Sequence, residues 1–191
     1  VIASTAIVIN QLAADPIEHH MSRLTPDGTI AGDRTLDHRA DGLAWTGSEI
    51  GTIWHGDKGS GWEVFLSRAD PTGLPVGTDV QVTEEGSEPA YPTLIWSGES
   101  YGAAWLDGRD AGCSLLPYEW LGSCHAQIYF NLLDGAGGRL WDDIRITSRD
   151  TWKMWPSMAW TGSEFGMAWF EAATEPEEQW SISFDLVSFC E

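Results

Sequence analysis

Hydrophobic and polar residues alternate along most of the chain, in short runs that glycine-containing turns separate. The runs at 63–69 (EVFLSRA) and 127–133 (QIYFNLL) are rich in β-branched and aromatic residues. Apolar residues at helical spacing do not continue for more than two turns anywhere in the chain. A period of two with this composition is typical of β-strands, so the pattern predicts an all-β fold.

One ten-residue phrase occurs three times, at 45–54, 96–105 and 160–169, and each copy begins and ends with tryptophan. The spacing of later landmarks is also kept. Val64 precedes Asp79 by 15 positions, as Ile128 precedes Asp143. Repeats of roughly 40 to 50 residues with aromatic and glycine landmarks are typical of β-propellers and related arrays.

Each repeat unit predicts up to four antiparallel strands, here named a to d. A Trp-Thr-Gly-Ser hairpin joins a to b, and an Asp-Pro-Thr-Gly turn joins c to d. In the second unit the four predicted strands are 43–45, 50–54, 63–69 and 79–83. The first unit supplies only b, c and d, at 6–10, 20–24 and 33–36. The last supplies only a, b and c, at 158–160, 165–169 and 181–187.

These 14 strands form about four units of three to four strands, which we assign to one domain. The units cover approximately residues 1–40, 41–88, 89–153 and 154–191. Two arrangements fit. In one, a small four-bladed ring closes with three-stranded end blades. In the other, the chain is part of a larger propeller, or a second chain or second copy completes the ring, because open sheet edges tend to find partners.

The repeated residues resemble those of a known family. An apolar-Trp-Thr-Gly hairpin, a Tyr/Phe-Gly-x-Ala-Trp strand, an Asp-x-Arg turn and an Asp-x-x-Gly turn are similar to the repeats of secreted bacterial β-propeller proteins. The resemblance covers almost the whole chain and implies a propeller fold. Residues 57–62 also resemble part of the Asp-box of sialidase-type propellers. Such propellers include lectins, adhesion modules, scaffolds and enzymes, so the resemblance leaves the function open.

Two cysteines bound the one long departure from the repeat. Strands b and c of the third unit are 13 residues further apart than those of the second, and this insertion contains Cys113 and Cys124. A disulfide between them would restrict the unfolded chain by roughly 3 kcal/mol and would imply an oxidising compartment. The alternative, a zinc site, needs ligands beyond the adjacent His125. Cys190 is left as a free thiol or as the partner of another chain.

The net charge of the chain argues against some classes of binding partner. The sequence has 29 acidic and 10 basic residues, for a net charge of −19. Such a surface repels phosphate backbones and anionic membranes, so no nucleic-acid partner is expected. No stretch approaches the length of a membrane span. A strongly acidic surface also keeps an aromatic-rich extracellular protein soluble, and with the expected disulfide it indicates a secreted or extracellular location.

The tryptophans divide into repeat landmarks and irregular positions. Six of the 12 stand at the first and last positions of the three repeated phrases, and we expect these six to pack between blades. Among the irregular aromatic residues, Tyr118 and Trp120 in the insertion are the best candidates to stack on sugar rings. Asp107, Arg109 and Asp110 are their candidate polar partners, because departures from a repetitive scaffold often carry recognition. The simpler interpretation is that Arg109 and Asp110 only pair with each other.

The sequence contains no nucleophile elbow and no phosphate-binding loop, and we assign no catalytic residue. Calcium binding through the acidic turns at 107–110 or 142–143 is conceivable, but a solvated turn is the simpler interpretation, and no cofactor is expected. We expect a secreted, non-catalytic module that binds an extracellular carbohydrate or protein. The alternatives are a propeller enzyme, that is a glycoside hydrolase or lyase, and a scaffold subunit.

Overall fold

The computed structural model describes residues 6–12, 18–59, 61–84, 86–113, 115, 124–172 and 180–188. These residues form fourteen β-strands in four antiparallel sheets, and they contain no helix. The prediction of an all-β fold is confirmed. Within the described ranges no helix is therefore long and apolar enough to cross a membrane.

The first two sheets follow the predicted strand order. The first sheet pairs strands b, c and d, which are β1 (Ala6–Leu12), β2 (Glu18–Leu24) and β3 (Ile30–Leu36). The second pairs strands a to d, which are β4 (Gly42–Trp45), β5 (Ile50–Asp57), β6 (Trp62–Ala69) and β7 (Val80–Gln81).

The third and fourth sheets repeat this order. The third contains β8 (Pro89–Trp96), β9 (Tyr101–Asp107), β10 (Gln127–Leu133) and β11 (Ile144–Arg145). The fourth contains strands a, b and c, which are β12 (Trp152–Trp160), β13 (Phe165–Ala172) and β14 (Trp180–Val187).

The three repeated phrases form the same a–b hairpin. The glycine of each turn has a positive φ, of 101° at Gly47, 106° at Gly98 and 104° at Gly162. Glycine adopts this conformation without steric cost. In each hairpin the hydroxyl oxygen of the threonine or serine after the first tryptophan also accepts a hydrogen bond from a backbone amide of the turn.

Strand d is shorter than the predicted 79–83, because side chains replace part of its backbone pairing. The amide of Val64 donates to the hydroxyl of Thr83 at 3.0 Å, and that of Ile128 donates to the hydroxyl of Thr147 at 2.9 Å. These hydroxyls end the ladder after the two residues of β7 and of β11. Thr83 and Thr147 occupy equivalent positions, and each ends strand d of its unit in the same way.

The core lies between the sheets. Strands β4, β5 and β6 of the second sheet pack on β8 of the third, and β8, β9 and β10 pack on β12 of the fourth. Val64 and Leu66 belong to one buried cluster with Trp105, and Ile128 and Phe130 belong to another with the aromatic residues of β13. Alternate residues of strand c in the second and the third sheet therefore pack on strand b of the next sheet.

The landmark tryptophans of strand b are buried, as predicted: Trp105 is fully buried, and Trp54 and Trp169 are 7% exposed. The same prediction is wrong for Trp45 of strand a, which is 43% exposed. Its counterparts Trp96 and Trp160 each contact an aromatic ring across the hairpin at 4.6 Å. Trp45 has no such ring opposite, because the residue paired with it is Ile50.

The face of the fourth sheet that points away from the third is apolar and open. Ile182, Phe184 and Leu186 of β14 are 72%, 64% and 45% exposed. Their counterparts on β10, residues 128, 130 and 132, are all buried. The described residues of the first and the last sheet share no interface like those between the middle sheets.

Candidate ligand-binding site

The connections between strands b and c lie at one end of the sheets, together with the connections that lead from d to the next a. We call this the b–c end. The insertion between β9 and β10 emerges here, and the sulfur atoms of Cys113 and Cys124 are at bonding distance, with Cα atoms 5.8 Å apart. This separation is usual for a disulfide. The predicted pairing is confirmed, and Leu115 and Cys124 anchor the base of the insertion in the core.

Some of the predicted site falls outside the described residues. Tyr118 and Trp120, the predicted stacking surfaces, lie in 116–123, and Cys190 lies beyond 188. Their roles remain predictions. The polar residues predicted beside them, at 107, 109 and 110, are described.

Asp107 ends β9 and is fully buried. One of its carboxylate oxygens accepts hydrogen bonds from Nε1 of Trp105 at 2.9 Å and from Nη2 of Arg109 at 2.7 Å. A buried carboxylate needs such donors, because burial without them carries a large desolvation cost. Asp107 therefore holds Arg109 in position and has no surface of its own for a ligand.

Arg109 joins the insertion to two sheets. Besides Asp107 it donates to Asp143 at 2.8 Å and to Glu84 at 3.3 Å, and its guanidinium lies 4.6 Å from the ring centre of Tyr129. Burial opposes the charge, but hydrogen bonds to the carboxylates of Asp107 and Asp143 outweigh it and raise the pKa of Arg109 above its ordinary value. The guanidinium stays charged, and it closes this part of the gap between the second and the third sheet.

Asp110 does not pair with Arg109. It accepts a hydrogen bond from the Tyr129 hydroxyl at 2.7 Å, and it forms an ion pair with Arg145 at 3.0 Å. Burial, together with this hydrogen bond, raises the pKa of Tyr129 to about 12. The interpretation that Arg109 and Asp110 only pair with each other is wrong, because both belong to a larger network.

The residues that sequence reasoning missed in this network are Glu84, Tyr129 and Arg139, and it gave Asp143 a different role. Asp143 was a candidate calcium ligand, but its oxygens accept hydrogen bonds from Arg109 and from Arg139 at 3.1 Å. The repeat itself could have indicated this structural role of Asp143, because Asp79 holds the equivalent position before strand d of the second unit. Asp79 accepts a hydrogen bond from Ser67 of strand c at 2.6 Å.

The described part of the chain contains no group of three or more His, Cys, Asp or Glu side chains placed to hold a metal ion. The base of the insertion contacts the segment 148–152, which leads into the fourth sheet. Gln127 donates to the carbonyl of Arg149 at 3.2 Å, and the imidazole of His125 contacts Asp150. The insertion and the 148–152 segment thus share the b–c end.

No protein-family model and no curated protein matches this chain. Among solved structures, the chain is similar to a mutant of the Synechocystis apocarotenoid oxygenase, with a TM-score of 0.50 and 10% identity over 98% of this chain and 47% of that one. It is also similar to the Pyrococcus horikoshii acylaminoacyl peptidase, with a TM-score of 0.50 and 10% identity over 98% of this chain and 30% of that one. The chain spans less than half the length of either protein. At this identity the similarity concerns the fold alone.

Proposed function

We propose that the four sheets are blades of a secreted β-propeller, and that its b–c end binds an extracellular carbohydrate without altering it chemically. The observation that carries the proposal is the insertion. It is the one large departure from the repeat, a disulfide pins it, and a buried ion network holds its base. Because the disulfide and the network hold both ends of the insertion before a ligand arrives, these ends lose little conformational entropy on binding.

Repeated contacts between sheets support the propeller. Gly137, in the c–d turn of the third sheet, lies so near Leu66 of the second that an added Cβ would come within 2.9 Å of its Cδ2 atom. Gly73 lies in the same way against Met21 of the first sheet, because an added Cβ would come within 3.1 Å of the Cε atom of Met21. The second and the third sheet therefore each use the glycine of the c–d turn to contact strand c of the preceding sheet, as repeated blades do.

The open face of the fourth sheet supports the same architecture. Five large apolar side chains are exposed on this sheet, between 40% and 72%: Trp155, Phe170, Ile182, Phe184 and Leu186. Contiguous apolar surface of this kind marks an interaction site. In the third sheet the equivalent face is covered by the fourth, so the next blade is the partner that the repeat implies.

Exposed indoles at the b–c end support a carbohydrate ligand. Trp62 begins β6 and Trp180 begins β14, and each is 37% exposed. Both therefore lie at the same end as the insertion that carries Trp120. Indole faces stack on the apolar faces of sugar rings, while nearby carboxylates and amides bind the hydroxyls. The disulfide, which persists in oxidising compartments, supports secretion.

A glycan array with a parallel hydrolysis assay tests the proposal. The intact protein is expected to bind at least one glycan and to leave it uncleaved. The double substitution Tyr118→Ala with Trp120→Ala is expected to abolish this binding. The control Trp45→Ala removes an exposed indole at the opposite, hairpin end and is expected to leave binding unchanged.

Three results would contradict the proposal. Absence of binding to any glycan would remove the carbohydrate ligand. Equal losses in the double variant and in Trp45→Ala would remove the assignment to the b–c end. Cleavage of the bound glycan would replace the binding module with a glycoside hydrolase or lyase.

A further inference from the structure

A pocket of about 280 Å³ lies at the b–c end between the third and the fourth sheet. The segment 146–149, which follows β11, forms one side of it. Trp169 and Glu171 of β13 and Ser183 and Asp185 of β14 form the other side. This volume is close to the lower end of the roughly 300–1,000 Å³ that small-molecule pockets span.

The equivalent place in the two preceding sheets is filled by the chain itself. Trp54, Trp105 and Trp169 hold the same position in strand b, paired with Phe65, Tyr129 and Ser183 of strand c. In the third sheet the guanidinium of Arg109 lies over the Tyr129 ring. In the second, the ammonium of Lys58 lies 4.9 Å from the centre of the Phe65 ring and pairs with Asp79.

The fourth sheet has neither part of this arrangement. The residue paired with Trp169 is Ser183, which offers no ring to a cation. The connection from b to c in this unit, residues 173–179 (ATEPEEQ), contains no lysine or arginine in its sequence. A pocket therefore lies at the place where the second and the third unit have a cationic side chain over the ring of strand c.

The pocket contains a buried donor without a partner. Nε1 of Trp105 donates to Asp107, and Nε1 of Trp54 donates to Ser67 at 2.8 Å. Nε1 of Trp169 has no hydrogen-bond partner among the described residues, although the side chain is only 7% exposed and lines the pocket. A buried donor left unpaired is unfavourable, because it has lost its hydrogen bonds to water without gaining another. A ligand that supplies an acceptor is therefore favoured here.

The carboxylates of the pocket are of two kinds. Glu171 is buried and accepts hydrogen bonds from the hydroxyls of Thr151 and Ser183. Burial opposes its charge, but these bonds and the charge of Lys153 outweigh burial and lower its pKa. Asp185 is exposed and lines the pocket. Arg149 lines the other side, so one cation and two carboxylates line the pocket.

We propose that this pocket binds one ring of a polyhydroxylated ligand, with a ligand hydroxyl oxygen accepting from Nε1 of Trp169 and another hydroxyl donating to Asp185. Hydroxyls suit the site because each can accept a hydrogen bond from the indole N–H and can also donate one to a carboxylate. The inference rests on the proposed carbohydrate function and names a site for it. The hydrogen bond from Gln127 to Arg149 places the pocket beside the base of the insertion.

The indole N–H signals in two-dimensional NMR spectra of the ¹⁵N-labelled protein test this directly. The signal of Trp169 is assigned by its loss in Trp169→Phe. The probes are maltose, cellobiose, lactose and chitobiose, together with any glycan that the array identifies. At least one probe is expected to shift the Trp169 signal in a saturable way. The Trp105 signal is the internal control, and it is expected to stay in place because Asp107 already occupies that donor.

Two matched variants sharpen the test. Asp185→Asn keeps the shape but removes the charged acceptor, and we expect about tenfold weaker binding, which corresponds to about 1.4 kcal/mol. Asp142→Asn makes the same change at an exposed residue outside the pocket, and is expected to leave the affinity unchanged.

Failure of the pocket and failure of the proposed function are distinguishable. If no probe moves the Trp169 signal, or if Asp185→Asn binds as the native protein does, the pocket inference is wrong. If the array still detects binding that Tyr118→Ala with Trp120→Ala abolishes, the proposed function stands without this pocket. A Trp169 shift that persists in the double variant supports the pocket independently of the insertion.

Discussion

The third and the fourth sheet contain the same strands a, b and c, yet the faces that they turn toward the next sheet differ. Phe130 on β10 is fully buried against Phe165, with ring centres 5.3 Å apart. Phe184 holds the same place on β14, opposite strand b, and is 64% exposed. The sequences of these strands are alike, so the neighbouring sheet, and not the strand, decides which side chains are core.

The b–c ends of the same two sheets differ in a related way. In the third sheet Arg109, Asp107 and Asp143 close the gap to the second sheet with charged groups. In the fourth sheet the same gap is a pocket. The same repeat thus forms a sealed interface in one sheet and an open pocket in another.

The largest expected effect comes from the phenylalanine pair. Phe130→Ala is expected to lower the free energy of unfolding by roughly 3–5 kcal/mol, because it removes a fully buried ring. Phe184→Ala is expected to change it by less than about 1 kcal/mol, because most of that ring is already in contact with solvent. Chemical denaturation of both variants measures the difference. Equal losses would mean that another surface covers β14 in solution.

The next effect concerns the sealed interface. Arg109→Met is expected to cost about 3 kcal/mol, because it leaves the buried carboxylates of Asp107 and Asp143 without a main donor. The control Arg145→Met removes a partner of Asp110 that is 41% exposed, and is expected to cost less than about 1 kcal/mol. Urea titrations of both variants at neutral pH are the measurement. A loss in the control as large as that of Arg109→Met would contradict the account of the network.

The smallest effect concerns a difference between the first strands of the two sheets, β8 of the third and β12 of the fourth. Lys153 of β12 is buried opposite Glu171, where β8 has Pro89 opposite Asp107. Burial lowers the pKa of Lys153 to about 8, although the charge of Glu171 opposes the change. Below pH 8 the lysine is charged in both the folded and the unfolded protein, and the cost of its burial is fully present. Between about pH 8 and 10.5 the folded protein loses the proton first, so this residue favours folding as the pH rises.

The variant Lys153→Met removes this titration. The free energy of unfolding of the native protein, measured relative to that of the variant, is therefore expected to rise by on the order of 2 kcal/mol between pH 7.5 and pH 10.5. A difference between the two proteins that stays constant over this range would show that the lysine has an ordinary pKa.

The strands, hairpins and disulfide could be predicted because local sequence encodes them. The glycine of each a–b turn, the alternation in β6 and β10, and two cysteines bounding one insertion all act over short separations. Each of these features is read from residues a few positions apart, or from their repetition.

The charge network, the exposure of Trp45 and the pocket could not be predicted in this way, because each depends on which side chains the fold brings together. Arg109 pairs with Asp143, which is 34 positions away, in preference to its neighbour Asp110. Trp45 is exposed because the residue opposite it is Ile50, a pairing that the repeat does not reveal unless the hairpins are compared. The pocket at Trp169 follows from the loss of a ring and a cation in one unit, and it becomes visible only when the other two units are superimposed on it.

An experimental structure of the protein with the sugar that binds best on the array would show whether the pocket at Trp169 is a binding site. We expect a sugar ring between the segment 146–149 and β14, with a hydroxyl oxygen within hydrogen-bond distance of Nε1 of Trp169 and with Arg109 still closing the gap beside the third sheet. A side chain of the protein itself in that pocket, or a sugar bound only elsewhere, would contradict this expectation.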